Sequence, residues 1–124
     1  MKAMDQLFQL AHSLPKIELH AHIGGCFRPQ TFLDLVEQKK IDIDHIDFYH
    51  VDQKQALEIF KVANKLVTDC QTLARVTKEI IEEYAKQSCR YLELRSTPKI
   101  VGSISSFEMY IETVLKALIA GEQE

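Results

Sequence analysis

The sequence predicts an α/β chain built on parallel strands, and three observations carry that expectation. Two short runs, Lys16–His20 and Arg90–Arg95, have strand character. Between them lie about seventy residues whose apolar positions mostly repeat at helical spacing. A further helical stretch follows the second run. A parallel partner is reached only by a crossover, so helix, strand, helices, strand, helix is the order that two successive β/α units produce.

Each element has its own justification. Met4, Leu7, Phe8 and Ala11 fall on one face of an opening helix, which Pro15 ends. Within Met1–Ser13 there is no continuous apolar stretch, so a signal peptide is not expected. The run Lys-Ile-Glu-Leu-His changes character over a few residues as a short strand does, and Gly24-Gly25 supplies a turn after it. Pro29 opens the next helix, with Phe32, Leu33, Leu35 and Val36 as its buried side. Asp42–Asp52 is acidic and without period, hence loop. Two helices follow on the stripes Ala56, Ile59, Phe60, Ala63, Leu66, Val67 and Leu73, Val76, Ile80, Ile81, Tyr84, Ala85. In Arg90–Arg95 the alternation is strict, with Tyr91, Glu93 and Arg95 on one face and Leu92 and Leu94 on the other. Thr97–Gly102, broken by Pro98, is loop. Ser105 and Glu108 form a capping box for a last helix through Phe107, Tyr110, Ile111, Val114, Leu115 and Leu118, with Gly121 as its stop.

Composition narrows the class. With 124 residues, 46% hydrophobic and 27% charged, the chain is neither disordered nor collagen-like. A net charge of -3 gives nucleic acid no electrostatic footing. No apolar run exceeds four residues, so no membrane span is expected. Cys26, Cys70 and Cys89 are odd in number and lack a Cys-x-x-Cys pair, which fits reduced thiols in a cytoplasmic protein.

Chemistry concentrates at the ends of the two strands. His20 and His22 stand two apart, so on a strand both imidazoles project from one face and can converge on one metal ion. Glu18 shares that face, where it can bond a polar neighbour or form an ion pair. Arg95-Ser96-Thr97-Pro98-Lys99 groups donors at the carboxyl end of the second strand, where parallel-sheet enzymes keep their sites. Arg95 has Glu93 and Glu18 as candidate ion-pair partners. His12, His45 and His50 read as solvated side chains.

Two runs carry a family resemblance. Leu14-Pro15-Lys16-Ile17-Glu18-Leu19-His20-Ala21-His22 resembles the opening signature of the adenosine/AMP deaminase superfamily, and Tyr91-Leu92-Glu93-Leu94-Arg95-Ser96-Thr97-Pro98-Lys99 is similar to its second-strand motif. The Arg-Ser-Thr-Pro ending most resembles the adenosine deaminase-like branch, which acts on N6-methyl-AMP and related nucleotides. The resemblance implies a (β/α)8 TIM-type barrel, of which residues 1–124 would be the first two β/α units, an apparently truncated amino-terminal third. It implies hydrolytic deamination of a purine nucleotide or nucleoside with Zn2+ as cofactor, and His20 and His22 as the first two zinc ligands. Contacts to substrate are implied for His22, Gly24, Asn64, Ser96, Thr97, Pro98 and Lys99. Gly24 departs from the Asp or Asn of the family and Asn64 from the histidine of that branch. The family's third histidine, its aspartate ligand and its catalytic glutamate have no counterpart in the segment, so no catalytic residue is assigned and the chain alone is expected to be inactive. The rival readings are another His-x-His metal hydrolase, which usually lacks the Arg-Ser-Thr-Pro element, and a non-catalytic fragment or interaction module.

Overall fold

The computed structural model describes residues 2–122; Met1 and Glu124, where the sequence reading set the chain's limits, lie outside them. Its elements are α1 (Lys2–Ser13), β1 (Lys16–His22), a 3₁₀ turn (Ile23–Gly25), α2 (Pro29–Lys39), α3 (Gln53–Leu66), α4 (Cys70–Lys86), β2 (Cys89–Arg95) and α5 (Phe107–Glu122). The order is the expected one. β1 and β2 pair in parallel, with His22 level with Arg95, so both strands deliver their carboxyl ends to one place.

Local chemistry sets the boundaries. Pro29 occupies the first turn of α2, where its missing N–H costs nothing, and Lys40 closes that helix in the left-handed region at φ 53°. The side chain of Asp52 accepts from the backbone N–H of Gln55 at 2.8 Å and opens α3. Asp69 does the same for α4 through Thr72, at 2.7 Å. For α5 the cap is Ser106, not Ser105: Ser106 Oγ accepts from the Met109 N–H at 3.1 Å.

The core lies between the helices and the inner side of the sheet, centred on Leu66, Leu73, Val76, Ile80 and Ile104, each essentially inaccessible. Arg28 reaches from the start of α2 to Glu79, Glu82 and Glu83 on α4 and ties the two helices at the surface. Three further expectations change. Leu33 and Phe60 are about half exposed instead of buried, because both border an apolar groove of about 520 Å3 beside the core. Gly121 does not stop α5; the helix runs through it. A Cβ there would stand 2.7 Å from Ile81 Cδ1 on α4, so the glycine lets the two helices pack closely without displacing that side chain. No helix of the described residues is long and apolar enough to cross a membrane.

Candidate active site

The strand pairing creates a cleft of about 320 Å3 at the carboxyl ends of β1 and β2. One wall comes from β1 and the turn after it, through His22 and Gly24. A second comes from the end of β2 and its loop, through Arg95, Ser96, Thr97 and Lys99. Asn64 of α3 and Tyr110 of α5 close it, over a floor that includes Ile23, Phe60 and Leu73. Of the residues implied as substrate contacts, His22, Gly24, Asn64, Ser96, Thr97 and Lys99 line this cleft; Pro98 does not, and only connects two residues that do.

The two histidines converge as their spacing requires. His20 Nε2 and His22 Nε2 lie 2.9 Å apart. Two zinc–nitrogen bonds of about 2.0–2.1 Å at a tetrahedral angle would separate their nitrogens by about 3.3–3.4 Å, so a shift of a few tenths of an ångström suffices and the pair fits that metal. Among the described residues no group of three or more His, Cys, Asp or Glu is gathered as a metal site. Glu18 turns to its own strand: Oε1 accepts from the backbone N–H of His20 at 2.8 Å. Here β1 is irregular, advancing three residues from Glu18 to Ala21 while β2 advances two from Leu92 to Leu94. Such a bulge leaves a backbone group free of the ladder. Arg95 uses it, donating from Nη2 to Leu19 O at 3.3 Å, so neither expected ion pair with Glu18 or Glu93 forms.

Lys99 Nζ donates to Asn64 Oδ1 at 2.7 Å, joining the second loop to α3 across 35 residues of sequence. Ser96 Oγ is hydrogen-bonded to the hydroxyl of Tyr110. Tyr110 was named only among the apolar positions of the last helix; the structure buries it, a buried tyrosine seeks a partner for its hydroxyl, and that need was the available signal. Behind the turn, Cys26 Sγ meets Tyr84 Oη at 3.8 Å. Burial pushes the Cys26 thiol up and Tyr84 up to about 12, so neither offers an anion near neutral pH. His12, His45 and His50 lie outside the cleft lining, with His45 and His50 beside Glu58 and Asp47.

The family model described as adenosine deaminase matches residues 15–124. The chain belongs to the adenosine deaminase family. It is 43% identical over 115 residues to an N6-mAMP deaminase of Arabidopsis thaliana, covering 86% of this chain and 32% of that one. Its backbone is similar to arabidopsis ADAL complexed with GMP, with TM-score 0.77 and 35% identity over 93% of this chain and 37% of the other. It is similar also to arabidopsis ADAL complexed with IMP, with TM-score 0.71 and 38% identity over 90% and 36% of the two chains. The chain thus spans about a third of the length of the relatives it matches. Its two parallel strands and their helices are the first two β/α units of the TIM-type barrel of this deaminase family.

Proposed function

We propose that this cleft is part of a purine deaminase site that takes a nucleoside monophosphate such as N6-methyl-AMP. The charge of the cleft is the observation that carries the reading. Its lining contains Arg95 and Lys99 with the hydroxyls of Ser96, Thr97 and Tyr110, and no aspartate or glutamate, in a chain whose net charge is -3. Such a lining favours an anion over a neutral nucleoside. The GMP and IMP bound by the similar arabidopsis proteins support the same choice.

The residues divide the work. Lys99 supplies a point charge, and Ser96 and Thr97 supply hydroxyl donors, for phosphoryl oxygens entering past the end of β2. Gly24 lets the ligand approach the turn backbone closely. Ile23, Phe60 and Leu73 give the base an apolar floor that excludes water. His20 and His22 are the neutral nitrogen donors that would hold zinc in part. Bound there, the metal would supply an activated water for attack on C6 of the purine. For N6-methyl-AMP the balance is one water consumed, with IMP and methylamine released.

Amine release from N6-methyl-AMP, AMP and adenosine tests the reading. A full-length enzyme with this segment as its first third is expected to prefer the nucleotides, and Lys99→Ala in it to lower kcat/KM for nucleotide about tenfold, roughly 1.4 kcal/mol, with adenosine little changed. Equal losses on nucleotide and nucleoside, or none on either, would end the phosphate assignment.

A further inference from the structure

We infer that Glu18 is a positioning residue: its carboxylate pins the bulge in β1 that turns His20 and His22 onto the open face of the sheet. This rests on the reading that the two histidines hold a metal. A regular strand has a period of two, which would put Glu18, His20 and His22 on one face. The structure separates them. Glu18 is level with Leu92 and Ala21 with Leu94, and both leucines pack against the core. Glu18 therefore belongs to the core side of the sheet, within electrostatic reach of Cys26 and of Tyr84 on α4. His22, level with Arg95, belongs to the opposite side and is exposed, as is His20.

One extra residue makes the difference. Between those two register pairs β1 carries Leu19 and His20, while β2 carries only Glu93. An inserted residue sends every side chain beyond it to the other face. With Glu18 in place and no bulge, His20 would be level with Leu94 and would face the core. The bulge is held at the peptide between Leu19 and His20, whose two poles are both bound by side chains. Its N–H donates to Glu18 Oε1 at 2.8 Å, and its carbonyl accepts from Arg95 Nη2 at 3.3 Å. Both bonds are charge-assisted, the stronger kind, and that to Glu18 is the shorter. Arg95 also lines the cleft and brings its own charge to it. Glu18 is thus the clasp whose holding role can be measured by itself.

The experiment measures zinc binding, by competition with a chromophoric chelator, in a full-length enzyme that contains this segment and in its Glu18→Met, Glu18→Gln and His20→Ala variants. Methionine keeps the length of the side chain and offers the N–H no oxygen; glutamine keeps the oxygen and drops the charge. Glu18→Met is expected to weaken zinc at least about tenfold, as loss of a partner that orients a ligand does. It should also lower kcat with KM little changed, and shift the visible bands of the cobalt-substituted enzyme, which report ligand geometry. Glu18→Gln is expected to keep the parent's bands and to bind zinc within about threefold of it. Parental affinity and bands in Glu18→Met, or a Glu18→Gln as damaged as Glu18→Met, overturns the positioning role. Should Glu18→Met not fold, Glu18→Gln decides: near-parental zinc affinity upholds the role, and a loss of about tenfold overturns it. His20→Ala separates the two layers. If it loses zinc while Glu18→Met keeps it, the positioning role fails and the metal reading stands; if it retains zinc like the parent, both fail together.

Discussion

In a full-length enzyme that contains this segment and holds the proposed zinc, replacing His22 with alanine is expected to lower turnover by at least about a thousandfold, more than any other single change in the cleft. His22 lines the cleft, and its Nε2 stands 2.9 Å from that of His20, so removing either ring leaves a single donor where two converge. A lone imidazole does not hold a catalytic zinc, and the charge it supplies in the transition state goes with it. The loss is specific to metal because His22 is exposed and its register partner Arg95 is anchored elsewhere, to Leu19. Folding measured by circular dichroism is therefore expected to persist in His22→Ala, while bound zinc measured by atomic emission falls in step with activity. Stoichiometric zinc in the variant, or turnover within tenfold of the parent, would show that His22 is not a ligand. The same reasoning bears on a polypeptide confined to these 124 residues. Two imidazoles alone should bind zinc with a dissociation constant in the micromolar range or weaker, about -8 kcal/mol or less in magnitude, and support no turnover.

How much of this was legible in sequence depends on the range of the interaction. The histidine pair was legible because a strand's period of two is a local fact: His20 and His22 had to share a face. The strict alternation of Tyr91 to Arg95 likewise located β2, which the structure extends by one residue to Cys89. β1 was read two residues short. His20-Ala21-His22 continues extended because Ala21 is buried and pairs with Leu94, a partner 73 positions away that no local pattern announces. The stripe assigned to α3 named Phe60 and omitted Val62, which is buried, because that helix lies between the core and an apolar groove and so presents two apolar sides. The contact between Lys99 and Asn64 was beyond local reading altogether. Each residue was placed separately by family position; only the folded chain shows that one holds the other.

The loop after β2 carries the second large effect, on stability. Gly102→Ala is expected to destabilise the protein by about 3 kcal/mol and to lower Tm by several degrees or more. Residues 101–104 form a tight turn in which the Ile104 N–H donates to Val101 O at 2.9 Å and the Val101 N–H to Ile104 O at 3.1 Å. Gly102, at the first central position, has φ +55°, and Ser103 is not among the residues with positive φ, the pattern of a turn that wants glycine there. Placing an alanine in this region costs about 1–2 kcal/mol from backbone sterics alone. The close approach adds to it. A Cβ on Gly102 would stand 2.1 Å from the carbonyl oxygen of Thr68, and that oxygen cannot withdraw freely because it accepts from the Ser103 N–H at 3.0 Å. Thr68 is held further by Lys39, whose Nζ donates to its Oγ1 at 2.7 Å. Relief requires the turn to move, and the turn positions Ile104, which is fully buried in the core. Gly102→Asn separates the two causes, since asparagine tolerates left-handed backbone yet brings the same Cβ. Thermal unfolding of both variants is expected to fall well below the parent, with Gly102→Asn the milder. A Tm within about 2 °C of the parent for Gly102→Ala would mean that the turn yields and that Thr68 does not confine it.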